Sequence, residues 1–257
     1  MGIISFDYKR LDMGGGFSRN SLTEEEFNKF NSNVLGLGEI SRDGKLIQGL
    51  AAIFDLDGFT DFCNQMESHI VVPEYLSIFL SWLFNQISAQ FKAGEKDDRI
   101  MIRGSLPIFA KFLGDGVLFL WDTSYSGGLT GIGNIIISLR RISKNYLKIL
   151  LPELKNDFIK PPNRLRCGIA RGQIIAIGNG GDFVGTCINV ASRLQKISQL
   201  SFSFSRRGFD AEKGLGDKNI KLFCKKKIEI RGIGEEIIYV EKNEFDLLSE
   251  KDKLFFE

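Results

Sequence analysis

The chain has 257 residues, 43% of them hydrophobic and 26% charged, with a formal net charge of +2. That is enough apolar material for one substantial core or two small ones, and it lacks the face-wide cationic excess of a nucleic-acid binder. A single histidine, His69, disfavours a histidine-based triad, a histidine-rich zinc site and a histidine kinase.

Residues 1–45 mix glycine, serine, asparagine and lysine with scattered aromatics and are expected to form a polar arm. Ile47 to Asp57 predicts the first strand, and Phe59 to Gln65 begins a helix. Pro73 to Phe91 predicts a second helix, with Pro73 in its first turn and Tyr75, Ile78, Phe79, Trp82, Leu83 and Ile87 at helical spacing. Ala93 to Arg99 reads as a charged loop. Phe109 to Trp121 is two apolar runs joined at Leu113-Gly-Asp-Gly116, which is hairpin chemistry. A helix follows over Ile132 to Leu151, ended by Pro152. Arg164 to Ile177 predicts two strands meeting near Arg171 and Gly172, and Gly185 to Ser198 a helix. Lys221 to Ile230 and Glu236 to Val240 form a closing hairpin around Gly232-Ile-Gly234. The mixture of helices and hairpins predicts an α+β sandwich with a central, mostly antiparallel sheet. Its boundaries fall at 46–243, with a tail over 244–257.

Four cysteines, Cys63, Cys167, Cys187 and Cys224, lack CxxC spacing. The first 45 residues hold no signal-peptide apolar core, and no apolar stretch of about 20 residues stands out. The expectation is a cytoplasmic protein with reduced thiols and no membrane association.

Two carboxylates interrupt this apolar pattern. Asp55 ends the run Leu50-Ala-Ala-Ile-Phe54, and Asp115 sits at the tip of the hairpin. A carboxylate at the end of a buried strand is costly to desolvate, and two brought together repel unless a cation lies between them. They read as a metal pair, or else Asp55 caps the helix after Gly58 and Asp115 is an ordinary turn residue. Asn189 and Arg193, four apart, share a helix face, either as a functional pair or as surface polar residues.

Phe54-Asp-Leu-Asp-Gly-Phe-Thr60, Lys111-Phe-Leu-Gly-Asp115, Cys167-Gly-Ile-Ala-Arg-Gly172 and Gly185-Thr-Cys-Ile-Asn-Val-Ala-Ser-Arg193 resemble, in order and spacing, the class III nucleotidyl cyclase catalytic domain over about residues 47 to 242. The resemblance implies that Asp55, Asp115 and the carbonyl of Leu56 hold two magnesium or manganese ions. It further implies that amides around Gly58, Phe59 and Thr60 receive phosphate, and that Asn189 orients the ribose while Arg193 contacts the reacting phosphate. Lys111 and Asp182 fall at the base-reading positions. A donor beside an acceptor suits the pairing edge of adenine or cytosine and mismatches guanine and uracil; the bland reading is a structural contact.

The segments Asp55 to Cys63 and Pro73 to Trp82 are similar to those of stand-alone pyrimidine cyclases of Pycsar antiphage systems. That implies cyclic CMP made from CTP for a separate effector protein, with cyclic UMP or cyclic AMP as other products. Phe54, Phe109, Phe112 or Phe183 could fill the space of a purine's second ring, against the plainer reading that each is a core residue. The chain departs from the family at Ile233, where a triphosphate lysine is usual, and at Gln173, where an arginine is; Arg171 and Arg231 are the candidate replacements. The departures also leave open a degenerate fold that binds nucleotide without turning it over. Because one chain carries both residue sets, a homodimer with shared sites is expected.

Overall fold

The computed structural model describes residues 9–12, 18–21, 43–91, 94–96, 99–101, 105–124, 128–178, 180–197 and 200–256. The rest of the expected N-terminal arm lies outside the described residues. The chain divides into two compact units, one of Met1–Leu46 with Ile175–Val184 and one of Ile47–Ile174 with Gly185–Glu257.

In the smaller unit, β1 (Lys9–Asp12) pairs antiparallel with β2 (Ser18–Ser21), and the end of β8 (Arg164–Ile177) pairs antiparallel with β9 (Asp182–Val184). The larger unit is built on β3 (Lys45–Asp57), β6 (Phe109–Phe112), β7 (Gly116–Asp122), β8, β10 (Phe202–Ser205), β11 (Phe223–Ile230) and β12 (Gly234–Glu241). Their order is β11-β12-β10-β8-β3-β7-β6, with β9 off this path as the eighth strand. The β3–β7, β6–β7, β10–β12 and β11–β12 pairs are antiparallel, and β10–β8 is parallel. The expected α+β fold with a mostly antiparallel sheet is thus present.

Strand alternation sorts the sheet into two faces. Leu50, Ala52, Phe54 and Leu56 of β3, with Val117, Phe119 and Trp121 of β7, enter the main core beneath α2 (Ser68–Phe91) and α3 (Gly128–Asn145). Ala51 and Ile53 point the other way and are also buried. This two-sided cover explains why β3 reads as a continuous apolar run rather than an alternating one.

Several expected boundaries move, each for a physical reason. α2 starts at Ser68, because Val71 and Val72 pack against the core ahead of Pro73, whose ring is exposed inside the helix. By length and composition α2 is also apolar enough to cross a membrane, which corrects the sequence reading; Tyr75, Phe79, Leu83, Ile87 and Phe91 nevertheless form a buried i,i+4 stripe on the core. Gly94–Lys96 and Arg99–Met101 pair as short strands β4 and β5, where a loop was expected. Pro152 does not end its helix. A π turn over Tyr146–Leu150 widens the ladder just before it, and α4 (Leu151–Asp157) resumes with the proline in its first turn.

β8 runs unbroken through Arg171 and Gly172. Gly172 serves close packing rather than a turn, since a Cβ there would lie 3.3 Å from the Cys187 Cβ. β10 was not foreseen, although its Phe-Ser alternation is a strand pattern, and neither was α6 (Ala211–Ile220), whose Gly214 and Gly216 weaken the helical signal. None of the four cysteines is in a disulfide.

The C-terminal residues are anchored by charge. Arg140 donates to the buried Glu241 at 2.7 Å, and Lys144 reaches Glu244 at 2.6 Å in α7 (Lys242–Asp246). Burial raises the Glu244 carboxyl, but hydrogen bonds from Lys144 and from the Ser201 hydroxyl and amide outweigh it and hold it below its ordinary 4.5. A depressed carboxyl stabilises the fold above its unfolded pKa and loses that contribution as pH falls through the folded value. Wild type should therefore lose stability faster than Glu244→Gln below about pH 4.5, read from urea midpoints between pH 7 and 3. Parallel pH profiles would contradict the assignment.

Candidate active site

β3 carries Asp55 across from Gly116 of β7 in the strand register, and the Leu56 amide donates to the Asp115 carbonyl at 3.0 Å. The hairpin tip turns through Gly114 at φ 98°, a left-handed conformation that glycine adopts without strain. Asp55 at the end of β3 and Asp115 in the β6–β7 turn are thereby placed at one sheet end. Asp55 is only 4% exposed, while Asp115 is half-buried.

Two arginines of β8 engage the aspartates at the end of β3, Asp55 and Asp57. Arg166 on β8 donates from both Nε (3.0 Å) and Nη2 to Asp55 Oδ2, and its Nη1 lies 3.4 Å from Asp57 Oδ1. Arg164 holds Asp57 through Nε at 3.1 Å and Nη2 at 2.5 Å. Burial raises the Asp55 carboxyl above its ordinary value; the Arg166 hydrogen bonds and charge oppose this, Asp115 adds to it, and Lys196 opposes it. Sequence reasoning missed Arg166. Its signal was the spacing of Arg164 and Arg166, two apart on one strand face, opposite a strand ending in Asp-x-Asp.

Among the described residues no cluster of three or more histidine, cysteine or acidic side chains forms a metal cage. The donor set still suits magnesium or manganese, which bind through one or two carboxylates and draw other oxygens from phosphate and water. A buried carboxylate, Asp55, raised by burial and to a lesser degree by the neighbouring half-buried Asp115, favours added positive charge.

Other expected residues are placed unevenly. Gly58, at φ 87°, opens α1 (Phe59–Cys63), a helix of five residues with no side-chain cap. Phe59 packs against Phe62 and Tyr75, so only its backbone is available to a ligand, and Thr60 is exposed. Lys111 of β6 pairs with Leu118, which pairs with Ile53. Lys111 therefore lies on the Asp55 face of the sheet and is exposed. Phe109 is on that face too, two residues along β6. Phe54 and Phe112 point to the opposite face and cannot fill a base pocket there.

Asn189 and Arg193 lie on α5 (Thr186–Leu194), which buries Cys187, Val190, Ala191 and Leu194 and turns both functional candidates outward. Asp182 belongs to the β8–β9 hairpin of the smaller unit, where it pairs with Ile177 and its Oδ1 accepts from the Phe183 amide at 2.8 Å; Phe183 is half-buried beside it.

Two phosphate candidates are not brought to the carboxylates of their own chain. Arg171 is on the core side of β8, donating to Thr123 Oγ1 at 3.0 Å and the Gly208 carbonyl at 2.6 Å. Arg231 sits in the exposed β11–β12 turn, with β12, β10 and β8 between β11 and β3.

No protein-family model matches the chain, and no curated protein sequence does. Solved structures do. The adenylyl cyclase CyaB from P. aeruginosa superposes with a TM-score of 0.59 at 18% identity, over 82% of this chain and 99% of that one. The guanylyl cyclase Cya2 gives 0.52 at 16% identity, over 78% and 94%. The catalytic core of a rhodopsin-guanylyl cyclase with converted specificity, in complex with ATPαS, gives 0.51 at 16%, over 78% and 98%.

Proposed function

With the fold of adenylyl and guanylyl cyclases as its frame, we propose that this chain is a nucleotidyl cyclase converting CTP to 3',5'-cyclic CMP and pyrophosphate, as a homodimer with two shared sites. The observation that carries the reading is the buried Asp55 set beside the Asp115 turn at one sheet end.

Magnesium or manganese held by Asp55, Asp115 and the Leu56 carbonyl would neutralise the triphosphate and acidify the ribose 3'-hydroxyl. The chain's own residues do the positioning. Amides at Gly58 to Thr60 offer donors to phosphate, and Arg166 supplies a charge-assisted fork beside Asp55. Asn189 orients the ribose, and Arg193 meets the charge that develops on the attacked phosphate. Their outward position on α5 supports a second copy as the bearer of the substrate they serve.

Lys111 donating and Asp182 accepting suit cytosine or adenine. Phe109 shares the Lys111 face of β6, and the preference for a pyrimidine over a purine is that Phe109 limits the depth available to the base. ATP and UTP are the other substrates. The messenger role, cyclic CMP acting on a separate antiphage effector from a cytoplasmic enzyme, rests on the resemblance of residues 55–63 and 73–82.

A second reading, a nucleotide-binding regulator without turnover, is favoured by the Arg166 hold on Asp55 and by Ile233 and Gln173. Complementation separates the two. Asp55→Asn and Arg193→Ala proteins should each be inactive alone, and their equimolar mixture should recover about one quarter of wild-type activity, because half the dimers carry one intact site. No recovery from a mixture shown to exchange subunits would overturn the shared-site cyclase.

A further inference from the structure

The carboxylate pair has a polyphosphate to hold, on the reading above; Arg166 is the arginine beside it, Ile233 stands where the resemblance implies a triphosphate lysine, and neither Arg171 nor Arg231 reaches the pair within the chain. A different pair of cations is gathered where α5 ends. α5 lies so close to β8 that a Cβ on Gly168 would strike the Ala191 carbonyl and the Gln195 amide. Gly168 is two residues from Arg166 on the same strand face, and Arg166 holds Asp55. Lys196, the residue after Gln195, therefore emerges at the same sheet end as Asp55, and its charge acts on that carboxyl.

Lys196 also lines a cavity of about 210 Å³ with Ile197, Lys251, Asp252, Phe255 and Phe256, at the junction of α5 with α8 (Glu250–Lys253). Asp252 contributes one carboxylate to this lining, its Oδ2 accepting from the Ser249 hydroxyl at 2.6 Å. Among the described residues neither Lys196 nor Lys251 has a carboxylate partner. Two exposed ammonium groups thus share one concavity with a single carboxylate, Asp252, and the apolar side chains of Ile197, Phe255 and Phe256, which leaves a net positive charge to attract an anion.

We propose that Lys196 and Lys251 form the subsite for the outer phosphates of the nucleotide, on the chain that supplies Asp55, and so replace the lysine lost at Ile233. This inference rests on the triphosphate-cyclising reading, and its test separates the two. Binding of inorganic tripolyphosphate with magnesium is measured by calorimetry for wild type, Lys196→Gln, Lys251→Gln and Lys196→Arg, with thermal midpoints as the folding check. The glutamine variants should bind about tenfold to a hundredfold more weakly, the loss of one charge-assisted bond each, and Lys196→Arg should stay close to wild type. With CTP, the Michaelis constant should rise more than the turnover number falls.

Tripolyphosphate bound in a Lys196-dependent way by a protein that cyclises no nucleotide would keep the subsite and remove the cyclase reading. Folded glutamine variants within about twofold of wild type, or a wild type that does not bind tripolyphosphate, would overturn the subsite.

Discussion

Asp55→Asn is expected to lower nucleotide cyclisation by on the order of 10³-fold, about 4 kcal/mol of barrier, while leaving a folded protein. The amide oxygen can still accept from Arg166 Nε, so the strand end keeps its neighbour. Removing the charge also removes the cost of burying a carboxylate that is only 4% exposed and is raised by burial and by Asp115. Those gains offset the lost ion pair, and Arg166 retains Asp57 at 3.4 Å. The stability change should therefore stay below the roughly 3–5 kcal/mol that removing one partner of a fully buried ion pair costs. Cyclase rate and urea midpoint, measured on the same preparation, check both halves. An active Asp55→Asn enzyme would remove Asp55 from the metal site, and an unfolded one would make the Arg166 pair a structural anchor.

Gly168→Ala is expected to act through the other half of the site. A methyl there meets the Ala191 carbonyl and the Gln195 amide and lies 3.0 Å from the Leu194 carbonyl carbon, all backbone atoms of α5 or its cap. Backbone cannot swing aside as a side chain can, so α5 must move away from β8. Such overpacking costs about 1–3 kcal/mol. Because α5 carries Asn189, Arg193 and, at its end, Lys196, a displacement of about 1 Å should also cost on the order of a hundredfold in rate. The Gly172 position allows comparison. An added Cβ there lies 3.3 Å from the Cys187 Cβ, a side-chain atom, and Gly172→Ala should cost less than Gly168→Ala. Equal effects would mean that helix approach is not what Gly168 provides.

What was legible in the sequence follows from the range of each signal. Asp55, Asp115 and the strands around them were readable because a carboxylate breaking an apolar run is a local anomaly. The i,i+4 spacing of Asn189 and Arg193 was local as well. Arg166 was hidden because its meaning depends on β8 lying beside β3, a pairing between residues 111 apart in sequence. Arg171 was misleading for the same reason. One residue of register along β8 decides which sheet face an arginine serves, and position 171 falls on the core side. Pro152 misled through a strong local rule, which the π turn before it circumvents. α6 was concealed by two glycines, one of which, Gly214, sits where α3 and α6 approach too closely for a Cβ.

A chain that cyclises a pyrimidine nucleoside triphosphate at the Asp55 and Asp115 pair, as proposed, should release a cyclic pyrimidine nucleotide. Purified protein incubated with manganese and equimolar ATP, CTP, GTP and UTP, with cyclic products identified by mass spectrometry, tests it most directly. Cyclic CMP that disappears in Asp55→Asn is the predicted result. Cyclic AMP would keep the Lys111 and Asp182 pairing and reject the shallow pocket, cyclic UMP would contradict the base assignment, and no cyclic product from a folded dimer would contradict the cyclase account.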